Sequence, residues 1–241
     1  MKADRRLVLS CEHGGCQVPA AYRSLFKGQD RLLNSHRGYD PGSLDLAQHL
    51  SAAFSALLIA STVTRLLVEL NRSVGHPRLF SSLSRSLDAQ GRKAVLRDHY
   101  HPHRALVEKS IKAALAQSGT ALHLGVHTFT PVMKGSVRRA DIGLLYDPSR
   151  KLERCWAAAW RNELRKRRPD LVVRRNYPYL GVSDGLTTSL RKQLATKNYA
   201  GLELEVNQRW FWRSGDPWKN LQFDLSESLR DALVLLPKAR H

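Results

Sequence analysis

Two apolar runs in this chain end in a histidine. Leu7-Val8-Leu9-Ser10-Cys11 leads through Glu12 to His13, and Leu122-His123-Leu124-Gly125-Val126 leads directly to His127. A run of β-formers closed by an imidazole and a turn places a coordinating nitrogen at the carboxyl end of a buried strand, where open α/β sheets bind their ligands. Two such ends side by side can share one metal ion. This placement therefore predicts both a sheet and the edge of it that carries chemistry.

The rest of the chain alternates accordingly. After the first strand, Pro41-Gly42-Ser43 opens a helical pattern through Leu44, Leu46, Ala47, Leu50 and Phe54, and Leu57 to Ala60 reads as a strand. Leu66 to Leu70 reads as another strand, and the serine-rich stretch from Arg78 to Arg97 as a long irregular connection. A helix is predicted from Pro102 to Gln117, feeding the strand that ends at His127. Strands follow at Ile142 to Tyr146, Leu171 to Val173 and Leu202 to Val206. Helices are expected at Leu152 to Arg167, Thr187 to Leu194 and Leu221 to Leu236. Alternation of this kind predicts a three-layer α/β/α architecture around a mostly parallel or mixed sheet. With 241 residues and 42% hydrophobic content, one domain over residues 1–241 accounts for the whole pattern.

Charge and cysteine usage narrow the class. The three cysteines, Cys11, Cys16 and Cys155, form no CxxC pair, which argues against a disulfide framework or a thiolate zinc site. No apolar stretch is long enough for a membrane span and no signal-type segment opens the chain, so a cytoplasmic protein is expected. The net charge of +18 attracts polyanions. Its basic residues are scattered rather than interleaved with aromatics, which favours a solvated surface or an anionic small substrate over a nucleic-acid-binding module.

The candidate chemistry gathers at strand ends. His13 precedes Gly14-Gly15, where the backbone can approach a ligand closely. Asp40, before Pro41-Gly42, supplies a carboxylate, with His36 four residues earlier as a competitor for the same role. Two imidazoles, one carboxylate and an open position make the ligand set of a catalytic zinc. Hydrolysis of an amide also needs a base, and Glu203 and Glu205 share one face of a half-buried strand, with Glu205 nearer its carboxyl end. Arg65 and Arg72 flank an apolar run, and a guanidinium fork binds a carboxylate in bidentate fashion.

Eight segments taken in order carry a family likeness: CEHGGCQVP (11–19), HRGYDPG (36–42), TRLLVELNRS (64–73), YHPHRALV (100–107), VHTFTP (126–131), RRADIGLLYD (138–147), NYPYLGVSDGLT (176–187) and LELEVNQ (202–208). The chain resembles the N-formylglutamate amidohydrolase family and, through it, the zinc carboxypeptidase class of exopeptidases. That resemblance implies a zinc exopeptidase-like (phosphorylase/hydrolase-like) fold and a Zn2+-dependent hydrolase of N-acyl amino acids such as N-formyl-L-glutamate. It implies His13, Asp40 and His127 as ligands, Glu205 as the catalytic glutamate, and Asn71 and Arg72 as binders of the substrate's carboxylate. It also implies that His103 polarises the carbonyl or holds substrate, and that Asn176, Tyr179, Asp184 and Thr187 stand at the pocket rim. The HxxE spacing of carboxypeptidases is absent, because Cys16 occupies the position three after His13. Two other classes remain: a basic nucleic-acid-binding protein, and a non-catalytic binder of an acidic metabolite on the same fold.

Overall fold

The computed structural model describes residues 4–213 and 215–237. Its centre is a six-stranded sheet in the order β2 (Leu57–Ala60), β1 (Leu7–Cys11), β3 (Ala121–Phe129), β8 (Tyr199–Asn207), β6 (Ile142–Leu145), β7 (Val173–Arg175). β2, β1, β3 and β8 run parallel to one another, and β6 with its parallel partner β7 runs against β8. Between β3 and β6 lies a small hairpin, β4 (Val132–Met133) and β5 (Ser136–Val137). The helices are α1 (Asp30–Leu33), α2 (Ser43–Phe54), α3 (Ala89–Val95), α4 (His101–Ser118), α5 (Lys151–Arg167), α6 (Leu186–Leu194) and α7 (Pro217–Val234). The expected three-layer α/β architecture with a mixed, mostly parallel sheet is present.

Period-two alternation along the central strands sorts side chains between the two faces. Leu122, Leu124 and Val126 of β3, with Leu202, Leu204 and Val206 of β8, pack against α2, α5 and α7, a layer that includes the fully buried Trp156 and Trp160. The opposite face, beneath α4 and α6, holds Ala121 and Tyr199 with Val107, Ile111, Leu186 and Leu190. His123, His127, Glu203 and Glu205 belong by parity to this second face. Every residue of β3 is buried, as a central strand covered on both sides must be.

Three expectations from the sequence are corrected. Leu66 to Leu70 forms no strand. The segment turns on itself, with Leu67 N donating to Thr64 O (3.0 Å) and Glu69 N to Leu79 O (2.9 Å), and its side chains build a separate core with Phe26, Val95 and Tyr100. An apolar run records burial, and a buried turn satisfies it as well as a strand does. The stretch from Arg78 to Arg97 is not irregular throughout. Asp88 caps α3 by accepting from Gly91 N (2.6 Å), and a π-helical turn over Leu96–Tyr100 joins α3 to α4. The strand expected at Leu171 to Val173 is displaced by two residues, to β7 at Val173–Arg175.

Candidate active site

Parallel pairing brings the carboxyl ends of β1, β3 and β8 to one edge of the sheet. Register sets His127 beside Glu205 across β3 and β8, and Ser10 beside Gly125 across β1 and β3. His13, two residues past the end of β1, thereby reaches His127, with ring centroids 5.0 Å apart. Asp40 arrives from the loop before α2, tied down by its own N–H donating to His13 O (2.9 Å).

The three side chains converge on a point. Asp40 Oδ2 lies 3.1 Å from His13 Nδ1 and 3.2 Å from His127 Nδ1, all three residues are buried, and they form the described residues' one grouping able to hold a metal ion. Both imidazoles turn Nδ1 inward, so both Nε2 atoms point outward onto carboxylates. His13 Nε2 contacts Glu69, and His127 Nε2 lies 3.1 Å from Glu12 Oε2. Glu69 is itself braced by Arg65 Nε (2.8 Å) and Asn71 N (3.0 Å). Arg65 Nη1 also donates to Asp40 Oδ1 (3.0 Å), so one guanidinium ties two carboxylates of the site together.

The electrostatics follow from burial and pairing. Burial opposes the ionised form of Asp40, yet the charges of His13 and Arg65 outweigh it and hold the carboxyl far below its ordinary range. Glu69 is lowered in the same way by Arg65 and His13. His127 is raised despite burial, by its contacts with Asp40 and Glu12. The cluster thus sets cationic groups around anionic ones, and a divalent cation fits the same charge balance. Glu205 behaves oppositely. Burial pushes it up to about 8, an effect that His127 moderates and that repulsion from Asp40 and Glu203 reinforces. Its Oε2 is buried without a hydrogen-bond partner.

These groups open onto a cavity of about 270 Å3. His13, Asp40, His127, Glu203 and Glu205 line it together with Arg72, Arg78, Met133, Tyr179 and Gln208. Arg72 Nη1 donates to Asn71 O (3.0 Å) and to Asp184 O, while its Nε and Nη2 have no protein acceptor among the described residues. A buried carboxylate without a hydrogen-bond partner for one oxygen, a two-histidine one-carboxylate cluster and a partly free guanidinium thus share one small space. With this geometry in view the chain can be placed among known proteins. The sequence model of the N-formylglutamate amidohydrolase family matches residues 5–212.

The chain belongs to the N-formylglutamate amidohydrolase family. Two solved structures resemble it. A gene product of Agrobacterium tumefaciens superposes with a TM-score of 0.81 at 27% identity, covering 96% of this chain and 92% of its own. An N-formylglutamate amidohydrolase from Ralstonia eutropha JMP134 superposes with a TM-score of 0.68 at 19% identity, covering 94% and 93%, a likeness that concerns the fold. No curated protein matches the chain.

Among residues singled out in the sequence, the structure brings together His13, Asp40, His127, Glu205, Asn71, Arg72, Tyr179 and Asp184 on the cavity lining. His36 also lines it but stands outside the converging cluster. Arg65 lines it with its guanidinium engaged by Asp40 and Glu69. Three residues fall elsewhere. His103 is buried with its Nε2 3.5 Å from Glu12 Oε1 and lines a different cavity. Thr187 is buried and donates to Glu203 Oε1 (3.2 Å). Asn176 accepts from Tyr146 N (3.0 Å) and Gly181 N (3.1 Å) and shapes the loop behind the rim. The sequence reading passed over Glu69 and Glu12 as partners of the histidines. Their signal was a carboxylate inside an apolar run, which calls for a buried counter-charge.

Proposed function

We propose that this protein is a zinc-dependent amidohydrolase that cleaves an N-acyl amino acid, with N-formyl-L-glutamate as the model substrate, into a carboxylate and a free amino acid. The observation that carries this reading is the convergence of His13 Nδ1, His127 Nδ1 and Asp40 Oδ2 beside Glu205, whose Oε2 is buried without a partner. Two imidazole nitrogens and one carboxylate oxygen, open toward a cavity, suit a catalytic zinc with a free coordination position. Zinc held there would polarise the amide carbonyl and acidify a water molecule.

The chain's own residues do the rest. In its ionised form, which a cation held at the cluster would favour, Glu205 takes a proton at Oε2 from the attacking water and returns it to the leaving nitrogen, so the C–N bond breaks to release an amine rather than an amide anion. Its buried setting withholds competing hydrogen bonds from that oxygen. Arg72, fixed by its two backbone carbonyls, offers Nε and Nη2 to the carboxylate of the amino acid, and this orients the amide over the cluster. Arg65 holds Asp40 and Glu69 in position, and substrate binding falls to Arg72.

The test is metal analysis of purified protein together with turnover of N-formyl-L-glutamate before and after chelation. The reading expects near-stoichiometric zinc, activity lost on chelation and restored by zinc, and Glu205→Gln slower by at least about a hundredfold with zinc retained. Protein that holds no zinc, or a Glu205→Gln variant that turns over normally, overturns it.

A further inference from the structure

Glu12 is an unusual place for a carboxylate. It follows the last residue of β1, is 2% exposed, and has no backbone N–H donor among the described residues. Its two oxygens meet two imidazoles. Oε2 lies 3.1 Å from Nε2 of His127, and Oε1 lies 3.5 Å from Nε2 of His103, which rises from the first turn of α4. Both approaches are close ionic contacts rather than well-aligned hydrogen bonds, and Glu12 Oε1, His103 Nε2 and His127 Nε2 have no hydrogen-bond partner among the described residues. His103 lies outside the substrate cavity. It lines a separate one of about 260 Å3, walled by Ile59, Val68, Leu70 and Leu106.

A desolvated carboxylate is destabilising unless its charge is used. Here the arrangement gives it a specific use. A histidine that presents Nδ1 to a metal carries its remaining proton on Nε2, and a carboxylate at Nε2 fixes the tautomer, orients the ring and raises the basicity of Nδ1. Glu69 stands in that relation to His13. We propose that Glu12 is the corresponding positioning residue for His127, and that His103 is a second positioning residue that acts through Glu12. His103 occupies the carboxylate oxygen that His127 does not use, so the carboxylate cannot rotate away, and it supplies the donor that makes burial of Glu12 tolerable. The histidine of α4 thereby contributes to the site across β1 without touching substrate.

The inference rests on the metal-site reading above, and one set of measurements separates the two. Zinc affinity of the full chain is measured by competition with a chromophoric chelator for the wild type, Glu12→Gln, His103→Gln and the double variant. Steady-state turnover of N-formyl-L-glutamate and thermal melting of the chelated proteins accompany it. Glu12→Gln keeps the shape and removes the charge. It is expected to weaken zinc binding roughly 10–100-fold and to lower kcat with KM little changed, and Glu12→Asp is expected to recover part of the loss. His103→Gln should weaken zinc less, and the double variant should be no worse than Glu12→Gln alone, the non-additivity expected when one residue works through another.

A wild type that binds no zinc removes the metal-site reading itself. A zinc-binding wild type with unchanged affinity and kcat in folded Glu12→Gln overturns the proposal for Glu12, and additive effects in the double variant overturn the proposal that His103 acts through it. Should Glu12→Gln not fold, His103→Gln decides the matter: unchanged zinc affinity there overturns the relay.

Discussion

At the residue scale, the chemistry face of β3 carries a second histidine with a different task. His123 is fully buried between Ser10 Oγ (2.8 Å) and Tyr199 Oη (3.0 Å), and burial lowers its pKa from 6.5 to about 4, with Arg191, His103 and His127 also opposing protonation and Glu12 favouring it. The unfolded chain takes up a proton at this residue near pH 6.5 and the folded chain does not until about pH 4. Stability from His123 is therefore complete above pH 6.5 and is lost as pH falls toward 4, by about 3 kcal/mol at most. Urea unfolding from pH 7 to pH 4 should show a shallower acid loss in His123→Gln than in the wild type, although the variant is less stable throughout because two buried hydrogen-bond partners are left behind. Equal slopes would show that His123 is already protonated in the fold. Both histidines that close apolar runs were legible in the sequence because a polar ring after a β-run has few other uses. Asp40 was legible only alongside His36, since spacing gives no direction. Glu12 and Glu69 were not read as partners at all, because the contacts that explain them join residues 115 and 56 positions apart, counted from Glu12 to His127 and from His13 to Glu69.

At the element scale, β6 shows how closely the loop bearing Tyr179 is seated. Gly143 pairs with Glu205, and a Cβ on Gly143 would fall 1.8 Å from the carbonyl oxygen of Tyr177 and 3.3 Å from Cβ of Glu205. No side chain fits without moving the backbone of the 176–183 loop. Gly143→Ala is expected to destabilise the protein by about 3 kcal/mol and, where it still folds, to raise KM by displacing the cavity wall that includes Tyr179 and Leu180. Melting temperature and KM check this, and a variant with wild-type values would refute the close approach. Strand and helix identities were mostly readable because the central strands are buried on both faces and the helices carry one apolar stripe. The run at Leu66–Leu70 misled because it belongs to a satellite core beneath α3 and the start of α4, where apolar residues follow no period. Yet that buried turn delivers Glu69, Asn71 and Arg72 to the site, which a strand end would also have done.

At the scale of the whole molecule, the site joins segments from most of the chain, so metal and fold should be linked. Zinc bound only by the folded state at a hundred times its Kd adds about 2.7 kcal/mol of stability. Melting in the presence of a chelator should therefore begin several degrees lower than with zinc, and coincident curves would argue against a native zinc site. No helix among the described residues is long and apolar enough to cross a membrane. The chain carries a net charge of +18, whereas the cavity lining sets Arg65, Arg72 and Arg78 against Asp40, Asp184, Glu203 and Glu205, so the long-range field of the whole molecule is what would draw in an anionic substrate. Raising ionic strength should lower kcat/KM and leave kcat nearly constant, whereas a salt-independent kcat/KM would separate the surface charge from turnover. Finally, because β6 runs against β8, the chain leaving β3 at Phe129 re-enters the sheet at Ile142 on the same edge, and the β4–β5 hairpin arches over the end of β8. Asn207 anchors the arch by donating from Nδ2 to Arg138 O (3.0 Å) and Ala140 O (2.9 Å). Among the described residues its two strands pair with each other alone, and it contributes Met133 to the cavity. Evolution or a protein engineer can thus lengthen, shorten or exchange the hairpin tip as a detachable part, reshaping what enters the cavity while the His13-Asp40-His127 cluster and the sheet beneath it stay as they are.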